Sequence, residues 1–190
     1  MKRAEKRKYI INKSTELFNK YGFHATSIDV IVAETGIAKT TLYRHFKTKE
    51  DLIVSVLQKV DDTFRADIRA YVEAVSAKPE ERLLVTFDFL ELWFRNHSFY
   101  GCPFISAASE YAAHKDLIFQ EARIHKTRML MFFEELARLA SLEHPDSVAK
   151  SINLLHEGAV AAAQISGDPS EAKLAKQIAA DLLSDWPLSK

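Results

Sequence analysis

Helix breakers are scarce in this chain, and their positions leave room for little besides helices. Five glycines and five prolines interrupt 190 residues, and the apolar/polar alternation that marks strands is absent, so the sequence reads as all-α. Pro79, Pro145 and Pro169 each sit where proline fits the first turn of a helix, because its missing N–H has no intrahelical partner there anyway. The segments they delimit, 79–96, 103–113, 116–140, 145–166 and 170–184, predict five helices beyond a long connecting helix over 48–75. Three more at the N-terminal end bring the expected total to about nine. The single cysteine, Cys102, excludes an intramolecular disulfide framework and fits a reducing compartment. The basic start, Met1 to Lys8, runs into an amphipathic stretch instead of an apolar one, so neither a signal peptide nor a membrane span is expected, and the predicted location is the cytoplasm.

Charge balances overall but not along the chain. Residues 1–50 carry 11 Lys and Arg against 5 Asp and Glu, whereas residues 51–190 carry 15 against 21. One end is suited to a polyanion.

Within that end, Ile10, Ser14, Leu17, Phe18 and Tyr21 recur at helical spacing and define one stripe. Gly22 is expected to close the helix in the left-handed conformation. Thr26 and Asp29 have capping-box spacing for a second, short helix ending at Thr35, with Ile28, Ile31 and Val32 on its apolar side. Gly36 supplies a turn, Ile37 packs inward, and a third helix runs from about Lys39 to Phe46, anchored by Leu42 and Phe46. Two short helices joined at a glycine and braced by a longer one describe a helix-turn-helix, whose second helix enters the DNA major groove. Lys39, Thr40, Thr41, Tyr43 and Arg44 then fall on or near the outward face. Lysine and threonine at a helix start can meet phosphates, Arg44 can grip guanine O6 and N7, and Tyr43 can offer a hydroxyl to a phosphate.

The run "LFNKYGFHATSIDVIVAETGIAKTTLYRHFKTKEDL" resembles the signature of the TetR family of bacterial one-component transcriptional regulators. The likeness extends without a gap from about Ile10 to Leu52, with Phe18, Gly22, Thr26, Ile31, Gly36, Leu42, Tyr43, Phe46, Lys49, Glu50 and Leu52 in register. Two positions depart from it: Ala38 stands where many members carry serine, and Thr40 where glycine is common. The resemblance implies a DNA-binding head over 1–47 and an effector-binding and dimerisation domain over 48–190. It also implies a homodimer on a palindromic double-stranded operator, and no cofactor or catalytic role. By the same resemblance Thr26, Ser27, Lys39, Thr40, Thr41, Tyr43, Arg44 and Lys49 are the expected DNA contacts, and the segment Lys39 to His45 lies in the groove.

Residues 87–133 are rich in large rings, most of them expected to be core. Phe89 with Trp93 and Phe132 with Phe133 come from different helices, however, and such rings can wall an apolar pocket. Together with Cys102, Phe104 and Tyr111 they form the candidate effector lining, and the resemblance implies a small apolar or electrophilic effector that alters the spacing of the two heads. With Pro103 at the first helical position, Cys102 becomes an N-cap whose sulfur would face free N–H groups, a setting for an electrophile-sensing thiolate. The "GC" segment is similar to that of the electrophile-sensing branch of the family. His97 and His114 lack the companions a metal site needs.

"INLLHEGAVAAAQI" and "LAKQIAADLL" place Gly158, Ala159, Ala162, Ala175, Ile178 and Leu182 in helical register, as half of an expected four-helix dimer interface. Two other classes fit less well. A thiol enzyme built on Cys102 with His97 or His114 lacks an oriented base and oxyanion site. A nonspecific architectural DNA binder would not need so large an acidic half.

Overall fold

The computed structural model describes residues 2–188, which form nine helices and no strand. In chain order these are α1 Arg3–Tyr21, α2 Ile28–Thr35, α3 Lys39–His45, α4 Lys49–Val75, α5 Pro79–Phe94, α6 Pro103–Glu110, α7 Leu117–Leu139, α8 Pro145–Ser166 and α9 Glu171–Ser184. No helix among the described residues is long and apolar enough to cross a membrane. The chain folds into two compact units, one of residues 1–63 with 102–125, the other of 64–101 with 126–190. The proposed division by role at residue 47 is thus distinct from the division by packing.

In the first unit α1 begins where Glu5 accepts the Lys2 N–H at 2.8 Å, and it buries Ile10, Ile11, Ser14, Leu17 and Phe18. Tyr21, expected on that stripe, is exposed instead. Gly22 ends the helix with φ 86° and ψ 164°, not the left-handed helical values expected, in a region that is essentially glycine's alone. Ile31, Leu42 and Phe46 close the small core from α2 and α3, and Leu52, Ile53, Val56 and Leu57 of α4 extend it. That extension matters, because one longer and two short helices bury too little apolar surface to stand alone, each full burial being worth about 1.5–3 kcal/mol. α4 opens with a reciprocal capping box: Asp51 N–H donates to Thr48 Oγ1 at 3.0 Å and Thr48 N–H to Asp51 Oδ2 at 3.2 Å.

In the second unit α5 is nearly surrounded, burying Leu83, Val85, Thr86, Phe87, Leu90 and Phe94. α8 and α9 pack closely through small residues, Ala149, Ala159 and Ala163 on one and Ala172, Ala175 and Ala179 on the other. Pro79, Pro103 and Pro145 do occupy first turns. Pro169 does not: Ser170 is the N-cap of α9, which leaves Pro169 just outside the helix.

The second unit also buries His156, between the rings of Phe87 and Phe133 at 4.3 and 4.7 Å. Its Nε2 lies 2.7 Å from Thr86 Oγ1. Burial, reinforced by the Lys126 charge, pushes its pKa down to about 3. The imidazole is therefore neutral, held by a hydroxyl. The first unit treats its buried histidine differently: His125 Nδ1 pairs with Asp61 Oδ1 at 2.8 Å, and its ring stacks on Phe104 at 3.7 Å.

Candidate nucleic-acid interface

Gly36 turns α2 into α3 with φ 65° and ψ 12°, a left-handed conformation that favours glycine. The buried Leu42 and Phe46 then fix which face of α3 is left outside. Thr40, Tyr43 and Arg44 are exposed on that face, with Thr41 and His45 half-buried at its margins. Ala38 is the N-cap of α3 and gives it no side-chain cap, so the helix starts on backbone bonds alone, such as Thr41 N–H to Ala38 O at 2.8 Å.

The start of α2 differs from expectation. Ser27, not Thr26, is its N-cap, with Oγ accepting the Val30 N–H at 3.2 Å. Thr26 is 1% exposed and its hydroxyl donates to Gly22 O at 2.7 Å. It fastens the α1–α2 turn and presents no hydroxyl to a phosphate, which corrects both its capping role and its place among the outward contacts.

Two of the expected cations have internal work as well. Lys39 Nζ lies 2.7 Å from Asp29 Oδ1, and that hydrogen bond, with the carboxylate's charge behind it, raises the lysine's pKa. Lys49 Nζ donates to His24 O at 3.2 Å, and partial burial lowers its pKa. Arg44 makes no ion pair among the described residues.

The head has a brace that no local pattern announced. At the end of α6, Glu110 accepts the Phe23 N–H on Oε1 at 2.9 Å and the His24 N–H on Oε2 at 2.5 Å. His24 Nδ1 is 3.2 Å from the same oxygen, and the His24 ring stacks on Tyr111 at 4.5 Å. Burial, then the charges of Glu50, Glu110 and Asp116, push the Tyr111 hydroxyl up to about 12, so it stays protonated. A Cβ on Gly22 would stand 3.2 Å from Glu110 Oε1, so the glycine answers both a torsion and a close approach. Glu110 lies 87 residues from Phe23, which is why spacing along the chain could not reveal it.

The expected effector residues fall into separate groups. Tyr111 supports the head, and Phe104 covers His125. Phe89 and Trp93 gather with Phe64 at 5.4 and 5.1 Å, and Trp93 meets Phe99 at 4.9 Å. Phe133 packs on His156, while Phe132 lies under the Arg69 guanidinium at 4.9 Å. Cys102 is the N-cap of α6, as expected, but its sulfur makes no capping hydrogen bond and the residue is 6% exposed. That corrects the picture of a thiol facing free N–H groups.

Of the expected assembly residues, Gly158 and Ile178 are exposed, and Ala162 and Leu182 half-buried. Ala159 and Ala175, at 5% and 6% exposure, are turned into their own chain and cannot face a partner. Sequence reasoning missed Leu154 and Ile165, exposed by 71% and 87%, which continue the outward row of Gly158 and Ala161 along α8.

Comparison with known proteins finds likeness both over the helix-turn-helix segment and over the whole fold. The sequence profile of the bacterial regulatory proteins of the tetR family matches residues 10–56. The transcriptional regulator RutR of Escherichia coli K12 is 34% identical over 70 residues, 37% of this chain and only a third (33%) of RutR. The regulator YjdC of the same organism is 22% identical over 177 residues, 93% of each chain. A TetR-family transcriptional regulator from Streptomyces coelicolor superposes with a TM-score of 0.88 at 26% identity, over 98% of this chain and 97% of that one.

Proposed function

We propose, from the premise that this chain belongs to the tetR family of bacterial regulatory proteins, that it is a homodimeric, sequence-specific DNA-binding repressor released from a palindromic operator by a small effector. The observation that carries the reading is the outward face of α3, where Thr40, Tyr43 and Arg44 stand clear over buried Leu42 and Phe46. Such a helix presents base-reading and phosphate-binding groups together. In a dimer the two α3 helices would enter successive major grooves about 34–36 Å apart. The uncovered row Leu154, Gly158, Ala161 and Ile165 on α8, with Leu174 and Ile178 on α9, supports the dimer, since a hydrocarbon patch of this kind gains by meeting its own copy.

An effector acts by binding the state whose heads mismatch the operator more tightly than the state that fits. The half-buried rings of Phe89, Trp93 and Phe99 favour an apolar ligand. The burial of Cys102 argues against an electrophile as the main signal, and Cys102→Ser should leave operator binding intact.

Selection of the purified protein on random duplex DNA, followed by titration of the enriched site at two salt concentrations, tests the reading. A palindrome whose affinity falls steeply with salt is the expected result. A folded, dimeric protein that enriches no sequence would refute it.

A further inference from the structure

Some cations of the head without an acidic partner among the described residues lie at a place the α3 contacts do not cover. Arg3, Lys6 and Arg7 occupy positions i, i+3 and i+4 of α1, and so share one helical face. Arg7 fixes that face beside the end of α3. Its guanidinium sits 5.0 Å over the ring of Phe46, the residue that follows His45, and its Nη2 donates to Ser55 Oγ at 3.0 Å. Arg3, Arg7 and Arg44 are exposed, and none of Arg3, Lys6 and Arg44 makes an ion pair among the described residues. Two lysines elsewhere on the head do find carboxylates, Lys13 with Glu16 and Lys39 with Asp29, each at 2.7 Å. Glu5, the acid nearest in sequence, directs its carboxylate to the Lys2 N–H.

We propose that Arg3, Lys6 and Arg7 of α1, with Arg44 and His45 of α3, form one phosphate-binding surface that follows the backbone of duplex DNA beyond the base pairs α3 reaches. This rests on the DNA-binding reading and extends its footprint to the first turns of α1. Like charges held together without counter-charges repel one another, and their assembly is favoured once a polyanion supplies the missing charge. His45 registers that repulsion. Burial first, and then the charges of Arg3, Arg7, Arg44 and Lys6, hold its pKa below the ordinary value. A phosphate strand laid along the strip neutralises these four charges at once, and interactions of this kind add affinity without reading sequence.

The experiment uses the full chain and its enriched operator, as a bare palindrome and with arbitrary flanking base pairs, in fluorescence anisotropy titrations over a range of salt. The wild type is expected to bind the flanked duplex more tightly whatever the flanking sequence. The double variant Arg3→Gln with Lys6→Gln removes two charges whose side chains make no hydrogen bond or ion pair among the described residues. It should forfeit that gain, bind on the order of tenfold more weakly, and show a log–log salt slope shallower by about 0.9 for each phosphate that a protomer no longer neutralises. Unchanged base preference in the variant would mark the strip as backbone-binding. Equal slopes and affinities for variant and wild type, on both duplexes, would overturn the strip and leave the α3 reading standing. A wild type that binds no duplex would overturn both.

Discussion

The first unit leaves cations such as Arg3, Lys6 and Arg44 without an acidic partner among the described residues, whereas the second holds the two most exposed aliphatic side chains, Ile165 and Leu154. What each unit leaves outside differs, and the kind of group left over sets the chemistry of the partner proposed for it. A cationic strip calls for phosphates, and a row of aliphatic side chains calls for another such row. The interiors differ in parallel: His125 is held by a carboxylate, His156 by a hydroxyl.

The sharpest way to break this contrast is to put charge where the hydrocarbon is. Leu154→Glu with Ile165→Glu should yield a monomer by light scattering and weaken operator binding by at least about a hundredfold, because two half-sites would no longer be engaged jointly. A variant that remains dimeric would remove the apolar row from the interface. On the cationic side, Arg44→Ala should cost about 1–3 kcal/mol of operator binding and relax the preference at one base pair. Titration against single-base variants of the operator reads this directly, and an unaltered preference would reassign Arg44 to the backbone.

The histidine contrast is open to a denaturation series. His156 stays neutral in the fold down to about pH 3, while in the unfolded chain it takes up a proton below its ordinary pKa of about 6.5. The unfolded state thus binds the extra proton, so stability is full above about pH 6.5 and falls as the pH drops towards 3. Urea titrations of wild type and His156→Gln should differ by about 1.4 kcal/mol per pH unit in that window. Parallel profiles would mean that Thr86 and its neighbours tolerate the imidazolium. The smallest effect concerns the brace. Glu110→Ala strips the acceptor from two N–H groups, at a cost on the order of 1 kcal/mol each. Amide exchange at Phe23 and His24 should accelerate about tenfold while the protection of α8 is unaltered.

Local punctuation is legible in the sequence, and long-range pairing is not. Tyr21, Thr35 and Val75 end helices where glycine or a loss of periodicity predicts, and Thr48 with Asp51 caps α4 as their spacing predicts. The same spacing misleads at Thr26, because its side chain is buried with the hydroxyl donating back to Gly22 O, and the adjacent serine accepts the Val30 N–H as the cap. Alanine at helical spacing on α8 and α9 does not say which face looks inward, so the expectation puts Ala159 and Ala175 on the wrong side and overlooks Leu154 and Ile165. Asp61 with His125 and Thr86 with His156 join residues 64 and 70 positions apart, beyond the reach of any periodicity.

The brace from Glu110 also bears on how such a protein can be rebuilt. Cutting at residue 47 and grafting the head onto a foreign sensory body would strand the Phe23 and His24 N–H groups and leave Gly22 an unsupported swivel. A transplantable module has to be discontinuous, carrying the 102–125 segment along with the first three helices and the start of α4. Recombination at residue 47 would therefore loosen the turn at Gly22 unless the segment that carries Glu110 travelled with it.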